Sequence, residues 1–495
     1  MKQLRPRATP LAGQPLSVGA TSLRAGRPRV GSRRVGWRRS LAVATAGWVA
    51  LAGAISSAGA ESVPDDQSQL EPVVNAGGRE LRFNWPLLKI GTAEYREGPT
   101  GVTVFRFGRK MRAAFDVRGE PVTANTELLR LGRDKPSVDA VVFAGGSAYG
   151  IECTTAVATA MKDDQLRSGT WNDVAHVTGA IIYDLGDRRL NEIYPDKRLA
   201  QAAFRGATDS VFRIGSAGAG RCARTGYFFG ANACSGQGGA YYERGDLKIA
   251  AFTVVNALGL VTDRQGRIQA GYPGTNWPAN PTTPAMLQAM REQWTDGPVE
   301  GKPTQNTTIS LVVVNQNLSF GDLQRLAIQV HTSMSRGLQP YATEWDGDVL
   351  FAVATGEVDL PPTEPARTTK VALIPAIAAE VMWDAILSSV PEQPVQPPPV
   401  TVSTPLPGTY AGRYRFSRFV TVEVTAREGR LFAQATGERP AYEIGREKPV
   451  ELVPTTPDLT RFTLATPHRY PLTLDFSHGA LVINPGPWEQ KGTRQ

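Results

Sequence analysis

Gln305-Asn306-Thr307-Thr308, followed by Ile309-Ser310-Leu311-Val312-Val313-Val314-Asn315, is the stretch from which the rest of the chain is best read. From Ile309 onward the residues are β-branched and apolar, the pattern of a strand buried on both faces. Residues 296–304 just before are rich in Gly and Pro and read as a loop. Thr307 therefore falls where a loop meets a rigid element. Were the Asn306–Thr307 bond cut, Thr307 would carry a hydroxyl and a free α-amine on one residue, a nucleophile with its own base. Two plainer readings stand beside this one. Asn and Thr commonly end loops, and Asn306-Thr307-Thr308 also spells a glycosylation sequon, meaningful only in a eukaryotic secretory setting.

At 495 residues the chain can hold more than one domain. Its formal charge of +8 invites a nucleic-acid reading, but ten of the 54 Lys and Arg lie in the first 40 residues, and no Asp or Glu precedes Glu61. The remainder carries 44 basic against 46 acidic residues, a formal charge of −2, so no nucleic-acid partner is expected. After Trp37-Arg38-Arg39-Ser40 comes an apolar, small-residue run from Leu41 to Ala60 that ends in Ala58-Gly59-Ala60. This is the layout of a cleavable secretory signal over residues 1–60, and it predicts a periplasmic or secreted product. The Arg pairs suit twin-arginine export; an uncleaved anchor is the alternative. Of the three cysteines, Cys222 and Cys234 could pair in an oxidising compartment, leaving Cys153 free.

Between residues 61 and 390 short apolar runs alternate with helical segments, which predicts one mixed α/β domain. Val138–Phe143, Ala180–Tyr183 and Ile249–Val255 read as strands, 144–147 as a tight turn, and 148–162 as a helix. Ser319 opens a helix with capping-box spacing, and 375–387 reads as a second amphipathic helix. The Pro-rich segment 391–404 is a semi-rigid linker. Beyond it, from 405 to 495, short alternating strands predict a small antiparallel β-domain.

Four histidines, His176, His331, His468 and His478, are scattered without metal-ligand spacing, so neither a metal site nor a cofactor is expected. A triad through His331 lacks the G-x-S-x-G elbow. The glycines of 215–220 have the wrong spacing and context for a dinucleotide loop. Asp346-Gly347-Asp348 is more promising. Residues i and i+2 of an extended segment face the same way, so both acids can point at one spot and hold an amine or orient a hydroxyl. The plainer alternative is a solvated Asp-Gly turn.

Several longer motifs occur in one order: Ile193-Tyr-Pro-Asp-Lys197, Ser235-Gly-Gln-Gly238, Asn306-Thr-Thr-Ile-Ser310, Gln329-Val-His-Thr-Ser-Met-Ser-Arg-Gly337 and Asp346-Gly-Asp-Val-Leu-Phe-Ala352. In these the chain resembles the L-aminopeptidase/D-esterase family of self-cleaving hydrolases, nearest its nylon-oligomer endohydrolase branch, over about residues 80 to 390. The resemblance implies a four-layer α/β/β/α sandwich of the aminopeptidase/ornithine-acetyltransferase type. It also implies autocleavage between Asn306 and Thr307, association of the two fragments, and assembly into a homo-oligomer. By position Thr307 matches the nucleophile, Asp346 and Asp348 the acids behind it, Asn256 the amide that stabilises the oxyanion, and Tyr183 the tyrosine on the substrate side. The branch has a pocket lysine where this chain has Tyr227, a departure that bears on substrate; Arg224 is a nearby cation. The carboxyl-terminal domain looks like the small β-domain appended to some β-lactamase-like proteins.

The expected activity is hydrolysis of short peptides or linear amide oligomers through an acyl-Thr307 intermediate. One alternative is acyl transfer to an amine on the same fold. Another is an exported, non-catalytic binding protein in which the β-domain carries the function.

Overall fold

The computed structural model describes residues 67–130, 136–229, 233–270, 282–292, 306–402, 405–406, 408–466, 471–484, 486 and 488–495. The signal-like segment 1–60, the loop 296–304, Gln305 and His468 lie outside the described residues.

One large sheet organises the chain up to residue 390. In sequence order its main strands are β1 (Leu88–Tyr95), β2 (Thr100–Gly119), β3 (Ser137–Ala144), β4 (Val177–Ile181), β5 (Gln237–Arg244), β6 (Leu247–Asn256), β7 (Thr307–Gln316) and β8 (Gly347–Val358). Their spatial order is β5-β6-β7-β8-β2-β3-β4, with β1 paired to β2. β7 and β8 run parallel, as do β3 and β4; the other main pairs are antiparallel. The twenty-residue β2 joins the two halves, pairing through Thr100–Phe107 with β1 and through Arg112–Gly119 with β8. This long strand has no counterpart in the sequence reading, because its Gly108-Arg109-Lys110 interruption looks like a turn.

Every residue of β7 is buried, as its unbroken apolar run predicts for a central strand with both faces covered. Its alternate side chains enter different cores. Ile309, Leu311 and Val313 pack with Phe105, Phe252 and Phe351, whereas Val312 and Val314 pack with helical residues such as Leu326 and Met382. A third apolar cluster sets Val102 and Val142 against the helices α1 (Glu152–Asp163) and α2 (Lys197–Arg205).

The Ser319 cap is formed as expected: its hydroxyl accepts from Asp322 N at 3.1 Å and opens α3 (Phe320–Ser333). Two helix expectations are corrected. The helix expected at 148–162 begins as a 3-10 turn, Ser147–Ile151, before α1. The helix expected from Pro375 begins at Ala366 and runs to Ser388 (α4), with Pro375 inside it. Proline lacks the N–H for that turn, but Ile374, Ala378, Met382 and Ala385 are packed in the same core as β6 and β7, and this packing carries the helix through. The three cysteines are buried and unpaired, so Cys222 and Cys234 do not form the bridge considered from the sequence.

Residues 391–402 have no regular secondary structure and are stitched to their surroundings, Gln393 to Cys234 and Gln396 to Leu472 N. The β-domain is a closed eight-stranded antiparallel barrel, from β9 (Gly412–Arg415) to β16 (Gln490–Arg494). Closure leaves no open edge. Its interior is filled by side chains such as Tyr414, Val422, Leu431, Phe462 and Leu474.

Candidate active site

The sheet register places the junction. Asn256 at the end of β6 pairs with Thr307 at the start of β7, Asn306 bridges to Asp346, and Gly347 at the start of β8 pairs with Gly119 at the end of β2. Four strand ends therefore converge on one peptide bond. Asn306 is 1 % and Thr307 5 % exposed.

Around that bond the contacts are specific. The Thr307 hydroxyl donates to the Asn306 carbonyl oxygen at 2.6 Å, and Gly347 N–H donates to the same oxygen at 2.8 Å. Asn306 N–H donates to Trp345 O at 3.2 Å. A Cβ on Gly347 would lie 2.8 Å from Thr307 Oγ1, so only glycine leaves the hydroxyl this close to the strand.

Asp346 and Asp348 are both buried, which removes the solvated-turn alternative. Asp346 Oδ1 accepts from Leu258 N at 3.2 Å and Oδ2 from the Thr343 hydroxyl at 2.8 Å. Asp348 accepts from Thr308 N at 2.7 Å and Ala342 N at 3.3 Å. Burial raises the pKa of Asp346, and burial together with the Asp346 charge pushes Asp348 well above the usual carboxylate range, in spite of these donors. The same two charges, after burial, push Tyr341 up. The two carboxyl groups thus stand buried beside the junction.

Asn256 is fully buried. Its Nδ2 donates to Tyr183 O at 3.2 Å, while its Oδ1 accepts from Arg224 N at 3.1 Å and from the Arg188 guanidinium. Arg188 also donates to Asn306 Oδ1 at 2.5 Å, so one cation ties the amide of Asn256 to the side chain of the junction residue. Burial lowers the Arg188 pKa, and among the described residues no carboxylate oxygen lies within 4 Å of it. Sequence reasoning missed Arg188. Gly186-Asp187-Arg188-Arg189 has the composition of a solvated loop, and nothing local distinguishes Arg188 from its neighbour, which pairs with Asp184. Gly347 is hidden for a different reason: in the sequence it is only the spacer between two acids.

A cleft of about 190 Å³ opens onto the junction, lined by Asn306, Thr307, Asp346, Gly347, Tyr183, Ser147, Ile181, Val122, Glu120, Glu344 and Trp345. Trp345 is half-exposed at its mouth. Of the residues singled out from the sequence, Thr307, Asn306, Asp346 and Tyr183 line this cleft, whereas Asn256 and Asp348 are buried next to the junction strands. Tyr227 is half-buried in the 3-10 turn Tyr227–Phe229, against the segment after Asn256, and is not among the lining residues. His331 is a buried core residue whose Nδ1 is 2.9 Å from Asp116.

A family model for peptidase family S58 matches residues 86–393. The chain is 37% identical over 331 residues to a 6-aminohexanoate-oligomer endohydrolase of Paenarthrobacter ureafaciens, covering 66% of this chain and 90% of that protein. A 6-aminohexanoate-oligomer endohydrolase of Agromyces sp. (strain KY5R) is 38% identical over 332 residues, with the same coverage. An uncharacterized aminopeptidase of Mycobacterium leprae is 31% identical over 309 residues, 59% of this chain and 82% of that one. The matched region contains all four converging strand ends, and on it the chain belongs to peptidase family S58, as a hydrolase acting on amide bonds.

Proposed function

We propose that this hydrolase activates itself by cutting Asn306–Thr307 and then uses Thr307 as its nucleophile. The observation that carries the reading is the Thr307 hydroxyl resting on the carbonyl of its own preceding residue, with Gly347 N–H on the same oxygen. Attack of Oγ1 on the Asn306 carbonyl carbon breaks the C–N bond, and the departing nitrogen takes up the hydroxyl proton, leaving an ester. Gly347 N–H is placed to take the developing oxyanion. Water then hydrolyses the ester, giving an Asn306 carboxylate and a Thr307 with free hydroxyl and amine.

In the mature enzyme that amine, with an ordinary pKa of about 7.7 to 8.0, is the base for the hydroxyl. As an ammonium it supplies a counter-charge that the described residues do not offer Asp346 and Asp348 in the uncut chain. The two fragments would stay joined, because β6 from the first pairs with β7 from the second along eight residue pairs. The three apolar clusters, one between the sheet halves and one under each helix pair, support a four-layer α/β/β/α arrangement. We further read residues 1–60 as an export signal, the mature protein as periplasmic or secreted, and its assembly as homo-oligomeric.

For substrates, the resemblance to oligo-amide hydrolases favours linear amide oligomers or short peptides. The half-exposed Trp345 and the Tyr183 ring offer apolar contact to such a chain, and Glu120 and Glu344 lie where an amino terminus would be attracted. Intact mass and amino-terminal sequencing of the purified protein, beside Thr307→Ala, test the reading. Two fragments, one starting at Thr307, are expected from the wild type and a single chain from the variant. A wild type that is active yet unbroken refutes it.

A further inference from the structure

The loop that carries Arg188 is held from behind by the carboxyl-terminal barrel. Leu190, 2 % exposed, is part of the barrel's apolar core, so the loop plugs one end of it. Two barrel side chains grip the backbone on either side of Arg189, just before that plug. The Tyr442 hydroxyl donates to the Arg188 carbonyl at 3.3 Å. Gln490 accepts from Leu190 N–H through Oε1 and donates to the Tyr442 hydroxyl through Nε2. Arg439 donates to Gly186 O at 3.4 Å and to Glu192 at 3.2 Å, and Arg418 reaches Glu192 at 3.0 Å. Tyr442 makes its contact from a left-handed backbone, φ 55°, which a non-glycine residue adopts at some cost.

On its other side the loop is pinned by Arg189, buried and bonded to Asp184 O at 2.7 Å and to the Asp184 carboxylate at 3.3 Å. Between these two anchors the Arg188 guanidinium reaches inward to Asn256 and Asn306. A buried cation with no carboxylate in contact among the described residues is held against a desolvation penalty. Its reach toward neutral amide oxygens is therefore set by where its backbone is fixed, and the barrel fixes it.

We propose that the barrel acts in cis as a brace for the cleavage junction, with Tyr442 and Gln490 as positioning residues that set Arg188 on Asn256 and on the Asn306 side chain. This rests on the self-cleavage reading above. It gives the appended domain a role that requires no ligand in its filled interior.

The test uses the full chain made by cell-free synthesis, with the uncut fraction followed by intact mass. Tyr442→Phe and Gln490→Leu keep the packing and remove the grip, and each is expected to slow cleavage about tenfold, the effect of one or two buried hydrogen bonds on a barrier. Arg188→Met is expected to slow it at least as much. Since Gln490 acts through Arg188, the double variant R188M/Q490L should be no slower than R188M alone. Arg461→Ala, which breaks the barrel's Arg461–Asp475 pair away from the loop, is the stability control and should lower Tm without slowing cleavage. The inference is overturned if Q490L and Y442F cut at the wild-type rate, if they slow no more than R461A at equal loss of Tm, or if the R188M and Q490L effects add. A wild type that stays whole overturns the self-cleavage reading and this inference with it; a wild type that splits beside unaffected variants overturns this inference alone.

Discussion

Replacing Gly347 by alanine tests the junction geometry most directly. The added Cβ would meet Thr307 Oγ1 at 2.8 Å, short of an ordinary contact of about 3.5 Å by roughly 0.7 Å. The strand cannot back away freely, since Glu120 O and Pro121 Cα would lie 3.1 Å from the same Cβ on another side. The threonine must therefore turn about χ1 or shift, moving its hydroxyl on the order of 1 Å from the Asn306 carbonyl. A misplacement of that size costs about a hundredfold in an intramolecular attack, or about 2.7 kcal/mol of barrier. The assay is the appearance of the two fragments with time after cell-free synthesis, wild type against G347A. Stability is compared between T307A and T307A/G347A, where the offending oxygen is gone and the alanine should cost no more than about 1 kcal/mol. Cleavage of G347A at the wild-type rate refutes the reasoning. So does a T307A/G347A chain that unfolds far below T307A, because the loss would then be general.

In the uncut T307A chain the Asp346–Asp348 pair should contribute a loss of stability as pH rises. Asp346 and Asp348 have raised folded-state pKa values, so their neutral forms favour the fold below the ordinary carboxylate range, about pH 4, and that contribution is lost as pH climbs through the raised values. Asp348→Asn in this background should flatten the dependence, read as urea midpoints across pH. Asn256→Ala removes the amide and strands the Arg188 guanidinium; kcat on an amide substrate is expected to fall about a hundredfold or more, while a fall of only twofold would remove Asn256 from the chemistry. Trp345→Ala at the cleft mouth should raise KM several-fold with little change in kcat, the signature of lost uniform binding.

The unbroken apolar run after Thr307 determined a central strand, and the Asp-Gly-Asp spacing determined that two acids could share one direction, because both follow from the two-residue period of extended backbone. The Pro-rich stretch marked where the pattern changes to short strands, and the ordered motifs supplied the family. Tertiary structure alone decided the rest. The sequence does not say that β2 runs for twenty residues through its own Gly108, since it is the pairing on either side of that glycine, with β1 and β3 before it and with β3 and β8 after it, that carries the strand across. It does not say that Gly347 must be bare, because the atom that would clash belongs to a different strand. Nor does it distinguish Arg188 from Arg189: adjacent, identical side chains acquire opposite assignments, one to Asp184 and one to the junction, only when the barrel and the sheet fix the loop from two sides. Local pattern reports which face of an element is buried; which charged group is carried into the interior is set by contacts between residues hundreds of positions apart.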